Sequence, residues 1–254
     1  MPLDRVLETE VMDTAEEALD YDAMDHSAVN RAFVDNLLAA LEEQRAEVRE
    51  QNDLSPLTSD LCSLTSSTPQ SAIRTPQLDI LDLGTGTALI PIELCCRYEH
   101  CRVMACDAAA SMLDQAQYNL AAHNFNERLQ LKLVDAKALP FQQTRFDVVM
   151  SNSIIHHIPE PLAVLREAVR VTRPGGLLFF RDLLRPDTEE EHQRLVATYA
   201  GEASDHQRQM FADSLHAALS LAEIRALIAG LGFQPQSVQQ TSDRHWTWIA
   251  RSEL

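Results

Sequence analysis

From Leu78 onward, short apolar runs alternate with longer stretches whose apolar residues recur at helical spacing. "LDILDL", "CRVMACD", "LQLKLVDA", "FDVVMSN" and "GLLFFRD" read as strands. Between them, "ALIPIELCCRYE", "AASMLDQAQYNLAAHN" and "PEPLAVLREAVRVT" read as helices. This alternation predicts right-handed βαβ units, and hence a parallel sheet covered on both faces. Residues 187–218 read as extra helices, and "SLAEIRALIAGLGF" as an amphipathic helix closed by Gly230 and Gly232. "QPQSVQQT" and "RHWTWIAR" then form a terminal strand pair, in which Trp246 and Trp248 share the core face. The expectation is an α/β fold with a doubly wound, mostly parallel, seven-stranded sheet and a C-terminal antiparallel strand.

Ahead of this pattern, residues 1–26 are acidic and weakly patterned. "SAVNRAFVDNLLAALEEQRAEVRE" carries an apolar helical stripe through Phe33, Leu37 and Leu41, with Ser27 as its expected cap. Residues 51–77 turn to Ser, Thr and Pro and read as a flexible linker. The expected division is a helical cap over 1–50, the linker over 51–77, and a main domain over 78–254. N-terminal and inserted helices would form a lid. Within 254 residues no apolar run is long enough to span a membrane, and the start lacks the order of a signal peptide, so the expected compartment is cytoplasmic. A formal charge of −17 opposes general attraction to nucleic acid or anionic lipid and favours a small-molecule partner. Five cysteines without a C-x-x-C pair read as buried reduced thiols.

"LDLGTGTALIP" places Gly84 and Gly86 in a strand-to-helix turn, where a ligand can approach the backbone closely. Leu89 stands where a dinucleotide fingerprint needs its third glycine, and no Gly-Lys-Ser/Thr follows, so neither a nicotinamide cofactor nor a triphosphate is favoured. Asp82 before the loop favours positive charge on the ligand. Asp107, twenty-one residues after Gly86, ends a strand where a carboxylate can accept ribose hydroxyls, and Asp135 and Asn152 end the next two. The implied ligand carries a ribose and a cationic or hydrogen-bonding end, with no required pyrophosphate.

In the order "LDLGTGTA", "ACDAAASML", "VDAKALPF", "FDVVMSNSIIHHI" and "RPGGLLFF", the chain resembles the class I S-adenosylmethionine-dependent methyltransferases over roughly residues 78–182. The resemblance implies a Rossmann-like transferase that uses S-adenosyl-L-methionine. It puts Asp82, Gly84 and Gly86 at the methionine end of the cofactor and Asp107 on the ribose hydroxyls. Asp135 and the Ala136 backbone would lie at the adenine, and Asn152 near cofactor and acceptor. Ala88 stands where the family commonly has a third glycine.

A methyltransferase orients and desolvates its acceptor, and a hydroxyl acceptor profits from a base within hydrogen-bond reach. His156 and Asp182 are the catalytic candidates, with His156 taken as the pocket-side member of "SIIHHIPEP". Tyr21, Asp22, His157, Arg181 and Arg185 lie nearby in the pattern. Adjacent side chains diverge by about 100° on a helix and to opposite faces on a strand, so no metal site is expected of the histidine pair. His192, Tyr199, His206, Met210 and Phe211 suit either a pocket roof or a helix face resting on a core. The favoured activity is methylation of a small molecule. The alternatives are methylation of RNA or protein, with Arg166, Arg170, Arg173, Arg181 and Arg185 as a basic stripe, and a non-catalytic cofactor-binding module. The acceptor and the oligomeric state are not read from the sequence.

Overall fold

The computed structural model describes residues 3–9, 11, 13–24, 26–53 and 77–253. Most of the expected linker, 54–76, lies outside the described residues. The main domain runs β1 (Leu78–Leu83), α3 (Leu89–Arg97), β2 (Cys101–Asp107), α4 (Ala110–His123), β3 (Leu129–Leu133), β4 (Phe146–Asn152), α5 (Pro161–Val171) and β5 (Thr172–Leu183). It continues through α6 (Glu189–Ala200), α7 (Asp205–Ala217), α8 (Leu221–Gly230), β6 (Val238–Gln240) and β7 (His245–Arg251). Before it come α1 (Ala15–Asp22) and α2 (Ser27–Asp53). Ser27 is the first helical residue of α2, and the His26 carbonyl accepts from the Asn30 N–H, so the helix begins one residue earlier than its expected cap allowed.

The strands lie in the order β3-β2-β1-β4-β5-β7-β6, with β1 to β5 parallel and β7 antiparallel to both neighbours. Because β1 and β4 are neighbours while their crossovers run to opposite sides, a crevice opens beyond their carboxyl ends. Core residues fill both faces. On one, Leu81, Leu83, Val149, Phe180, Trp246 and Trp248 pack with the apolar sides of α5 and α8. On the other, Ile80, Val103, Val148, Met150 and Phe179 pack against α3 and the Phe33, Leu37 and Leu41 stripe of α2. Burial on both faces is why these strands read as continuous apolar runs. Trp248 sits between Phe180 and Phe233, with ring centroids 5.5 and 5.3 Å away.

β5 starts four residues before the expected "GLLFF" run. Its pairing with β4 shifts register between Phe146 and Val148, and Gly175 (φ +73°) lets the chain pass through "RPGG" without leaving the sheet. Arg173 pairs there with Asp147 at 2.5 Å. Cys95, Cys101 and Cys106 are buried thiols as expected, whereas Cys96 is exposed.

Candidate functional site

The loop after β1 is built for close approach. Backbone N–H groups of Gly84 and Thr85 both donate to the Cys106 carbonyl at 2.9 Å, tying the loop to the end of β2. Gly84 (φ +71°) and Gly86 (φ +54°) occupy the left-handed region. A Cβ on Gly84 would lie 1.8 Å from Ile154 Cγ2, so no other residue fits there without movement. Ala88 shares the left-handed conformation (φ 64°, ψ 23°) just before α3. An L-residue there costs roughly 1–2 kcal/mol, which accounts for the family's glycine. Ala88→Gly is therefore expected to raise unfolding free energy by about 0.5–1 kcal/mol, net of glycine's greater freedom in the unfolded chain; denaturant titration reads the change.

Six of the seven predicted cofactor residues line one cleft of about 420 Å³: Gly84, Gly86, Asp107, Asp135, Ala136 and Asn152. The seventh, Asp82, lines an adjoining hollow of about 20 Å³ that shares Tyr21, Gly84 and Asn152 with the cleft. Asp107 accepts from the Gly86 N–H at 2.7 Å and from the Ala109 N–H at 2.9 Å, one on each oxygen, leaving a lone pair on each for a ligand. Asp135 accepts from the Lys137 N–H at 2.8 Å and stands half-exposed at the far end. Asp82 is 3% exposed, and its Oδ2 has no hydrogen-bond partner; neither has the buried Oδ1 of Asn152. Burial pushes the Asp82 carboxyl up to about 7, with Thr85 pulling it down and the Asp107 charge adding to the rise. Two orphaned oxygens beside a strained glycine loop fit a ligand with a cationic, hydrogen-bonding end.

Tyr21 comes from α1 and covers the loop, 3.7 Å from where a Gly86 Cβ would be. Burial, followed by the charges of Asp107, Asp82 and Asp22, pushes its phenol up to about 12, so it stays a neutral donor. Asp22 turns the other way, accepting from Gln115 and Asn119 of α4 at 2.9 Å each. It fastens the helical cap rather than facing the cleft.

The histidine pair corrects the expectation. Ile155–His157 forms a 3-10 turn, and this turn sends His157 into the cleft lining while His156 packs beneath it, 4% exposed. His156 Nδ1 lies 2.5 Å from Asp182 Oδ1, and Asp182 also accepts from the backbone N–H groups of Ile155 and Leu183 at 2.5 and 2.6 Å. Asp182, at 1% exposure, is thus an anchor behind the turn and not a cleft residue. Burial disfavours charge on both groups, yet the mutual charge and hydrogen bond prevail: His156 is raised and Asp182 lowered. Tight turning also overrides the divergence expected of neighbouring side chains, because the two rings lie 4.1 Å apart and both approach one carboxylate. Glu8 Oε1 is 3.0 Å from His157 Nδ1 and 3.5 Å from His156 Nε2.

Glu8 belongs to an N-terminal strap that sequence reasoning missed. Arg5 pins it by donating to the carbonyls of His156, Ile158 and Ala217 at 3.0, 2.9 and 2.7 Å. Val11, Met112, Leu133 and Ile158 also line the cleft unpredicted. Arg181 and Arg185 line none of this volume. Arg181 Nε donates to Thr247, and Arg185 donates to the Ala218 carbonyl and to Glu223. Among the expected roof residues, none borders the cleft; Tyr199 bonds Asp243 and His192 lies beside a separate hollow.

Comparison with known proteins agrees with this arrangement. Residues 81–180 match the family described as "Methyltransferase domain". The chain is 28% identical over 164 residues to the 27-O-demethylrifamycin SV methyltransferase of Amycolatopsis mediterranei, covering 64% of this chain and 56% of that protein. It is 33% identical over 114 residues to the malonyl-[acyl-carrier protein] O-methyltransferase of Legionella pneumophila, covering 45% of this chain and 39% of that protein. The chain thus spans about half the length of the curated relatives it matches, or less. In fold it is similar to a protein of Methanococcus maripaludis assigned as an S-adenosyl-L-methionine-dependent methyltransferase, with TM-score 0.56, 13% identity and 98% of each chain covered. With the strand order, the glycine loop and the ordered segments in one frame, residues 81–180 match a methyltransferase domain set in a Rossmann-like fold, and these similarities support a class I S-adenosylmethionine-dependent methyltransferase.

Proposed function

We propose that the protein binds S-adenosylmethionine in the main cleft and transfers its methyl group to a small-molecule acceptor by in-line displacement. The observation that carries this reading is the convergence of Asp82, Gly84, Gly86, Asp107, Asp135, Ala136 and Asn152 on one crevice beyond β1 and β4. When bound, the cofactor supplies an activated methyl group on a sulfonium. Asp107 accepts the ribose hydroxyls, Asp135 and the Ala136 backbone meet the adenine, and Asp82 and Asn152 offer their orphaned oxygens to the methionine end. Tyr21 and the strap exclude water. Relatives named for rifamycin and malonyl-carrier substrates support a small-molecule acceptor. The basic stripe that would favour RNA is dispersed: Arg170 pairs with Glu167, Arg173 with Asp147 and Arg185 with Glu223.

Asp82 makes the cofactor test specific. Below about pH 7 its carboxyl is protonated, and above it ionised. A cationic ligand favours the ionised form, so affinity for S-adenosylmethionine should rise about tenfold from pH 6 to pH 8. Calorimetry should find this rise in the native protein and not in Asp82→Asn. No binding at either pH would reject the reading, and a slope that survives in Asp82→Asn would remove Asp82 from it.

His157, the ring that lines the cleft, is the proposed base for a hydroxyl acceptor, held by Glu8. His157→Gln should lower turnover about 100-fold or more while leaving cofactor affinity intact. His156→Gln should act chiefly on stability. A labelled-methyl assay on the small-molecule fraction of a cell extract, run beside calorimetry, separates the two; equal turnover in both variants would return His157 to a packing role.

A further inference from the structure

Outside the cleft, the hairpin of α6 and α7 brings Glu189, His192 and His216 together. Their ligand atoms all lie within 4.8 Å of one another. We propose that these three side chains form a binding site for a divalent transition-metal ion, best suited to Zn²⁺, that clasps α6 to α7.

The argument starts at His192, which is 6% exposed. Its Nε2 lies 2.9 Å from the Ala212 carbonyl, an acceptor only, so the ring proton sits on Nε2 and Nδ1 carries a bare lone pair. That Nδ1 is buried and has no hydrogen-bond partner. The nearest carboxylate atom is Glu189 Oε1 at 3.9 Å, too far to be a hydrogen-bond partner of Nδ1. A cation between them would satisfy both. The same donation from the far ring nitrogen to a backbone carbonyl is the usual outer support of a metal-bound imidazole.

His216, in the last turn of α7, completes the set. Its Nε2 is 3.9 Å from Glu189 Oε2, and its ring stacks on that of His192 with centroids 4.0 Å apart. Two imidazoles and a carboxylate, with a fourth position open to water, match the ligand preference of Zn²⁺. Ligands around tetrahedral zinc stand about 3.3 Å apart, so closure from separations of up to 4.8 Å requires movements of about 0.5–1.5 Å. Parallel rings aim their lone pairs side by side, so His216 must tilt, and Glu189 Oε1 must share or give up the Gln193 amide it accepts from at 3.0 Å; both side chains are partly exposed. A hollow lined by Glu189, His192, Val196 and Ala212 gives the ion a way in.

The Glu8, His156 and His157 group has similar spacing, and His157 Nδ1 is likewise buried without a hydrogen-bond partner, but that nitrogen already lies 3.0 Å from Glu8 Oε1, leaving no gap between the two for an ion. His156 stands between Asp182 and Glu8, two carboxylates that call for protons on both of its nitrogens.

The full chain, freed of metal by chelator, should take up one equivalent of Zn²⁺ with micromolar or tighter affinity in calorimetry, and Co²⁺ should give the absorption of a tetrahedral site. Zn²⁺ should also raise the thermal midpoint. Glu189→Gln and His216→Ala, both at partly exposed positions, should each weaken Zn²⁺ binding at least tenfold and abolish that rise, whereas Glu8→Gln and His157→Gln should change neither. Absence of stoichiometric uptake, or loss of it in Glu8→Gln rather than His216→Ala, would overturn the assignment.

Discussion

Gly84→Ala should lower the unfolding free energy by about 3 kcal/mol and abolish measurable cofactor binding. Two costs combine. The added methyl would overlap Ile154 Cγ2 at 1.8 Å, and the backbone at φ +71° disfavours any L side chain. Ala88 provides an internal standard for the second cost, because an alanine is already held at φ 64° one turn away. The larger share in Gly84→Ala is therefore the collision. Ile154 is the N-terminal flank of the turn that carries His156 and His157, so relieving the overlap by moving Ile154 would disturb both walls of the cleft at once. Adding Ile154→Ala removes Cγ2 and Cδ1 and leaves the Ile154 Cβ at 2.9 Å and the backbone term, so the double variant should recover about half of the lost stability in a double-mutant cycle. Denaturant midpoints for the four proteins decide it. No recovery in the double variant would place the cost in the backbone alone.

The features legible in the sequence are those fixed locally. A strand-end aspartate such as Asp107 is set by the residues on either side of it, and parallel pairing then carries it to the crevice whatever the rest of the chain does. The same holds for Gly84, Gly86, Asp135 and Asn152. His157 and Glu8 were not legible because their meeting depends on a single 3-10 turn and on a strap pinned by Arg5 from more than 150 residues away. One residue more or less in that turn would exchange the two histidines. The site on the helical hairpin shows the same division. Glu189 and His192 stand one turn apart on α6 in a spacing visible in the sequence, whereas His216 joins them only because the hairpin closes, and the vacancy at His192 Nδ1 depends on the Ala212 carbonyl. Similarly, β5 extends back through "RPGG" because Arg173 finds Asp147 across a register shift, and a glycine pair alone signals only a turn.

Asp182→Asn should remove about 3–5 kcal/mol of stability at pH 6, because it leaves the buried His156 ring without its charge partner. The carboxylate accepts three donors, from His156, Ile155 and Leu183, and an amide of the same shape must turn its NH₂ toward at least one of them. The pH dependence gives this loss its signature. Asp182 is held below its ordinary value, so its contribution is present above about pH 4 and fades as pH falls through the depressed folded value. His156 is raised, so its contribution is complete below about pH 6.5 and fades as pH rises through the raised folded value. Native protein should therefore be most stable between these limits and lose stability on the alkaline side as His156 gives up its proton. In Asp182→Asn the ring is no longer raised by a buried carboxylate, and that alkaline decline should shrink. Urea titrations at pH 6, 7.5 and 9 test the slope directly. A variant that is destabilised equally at all three would show that Asp182 holds the turn through its backbone contacts alone, and that the charge on His156 contributes nothing to presenting His157 to the cleft.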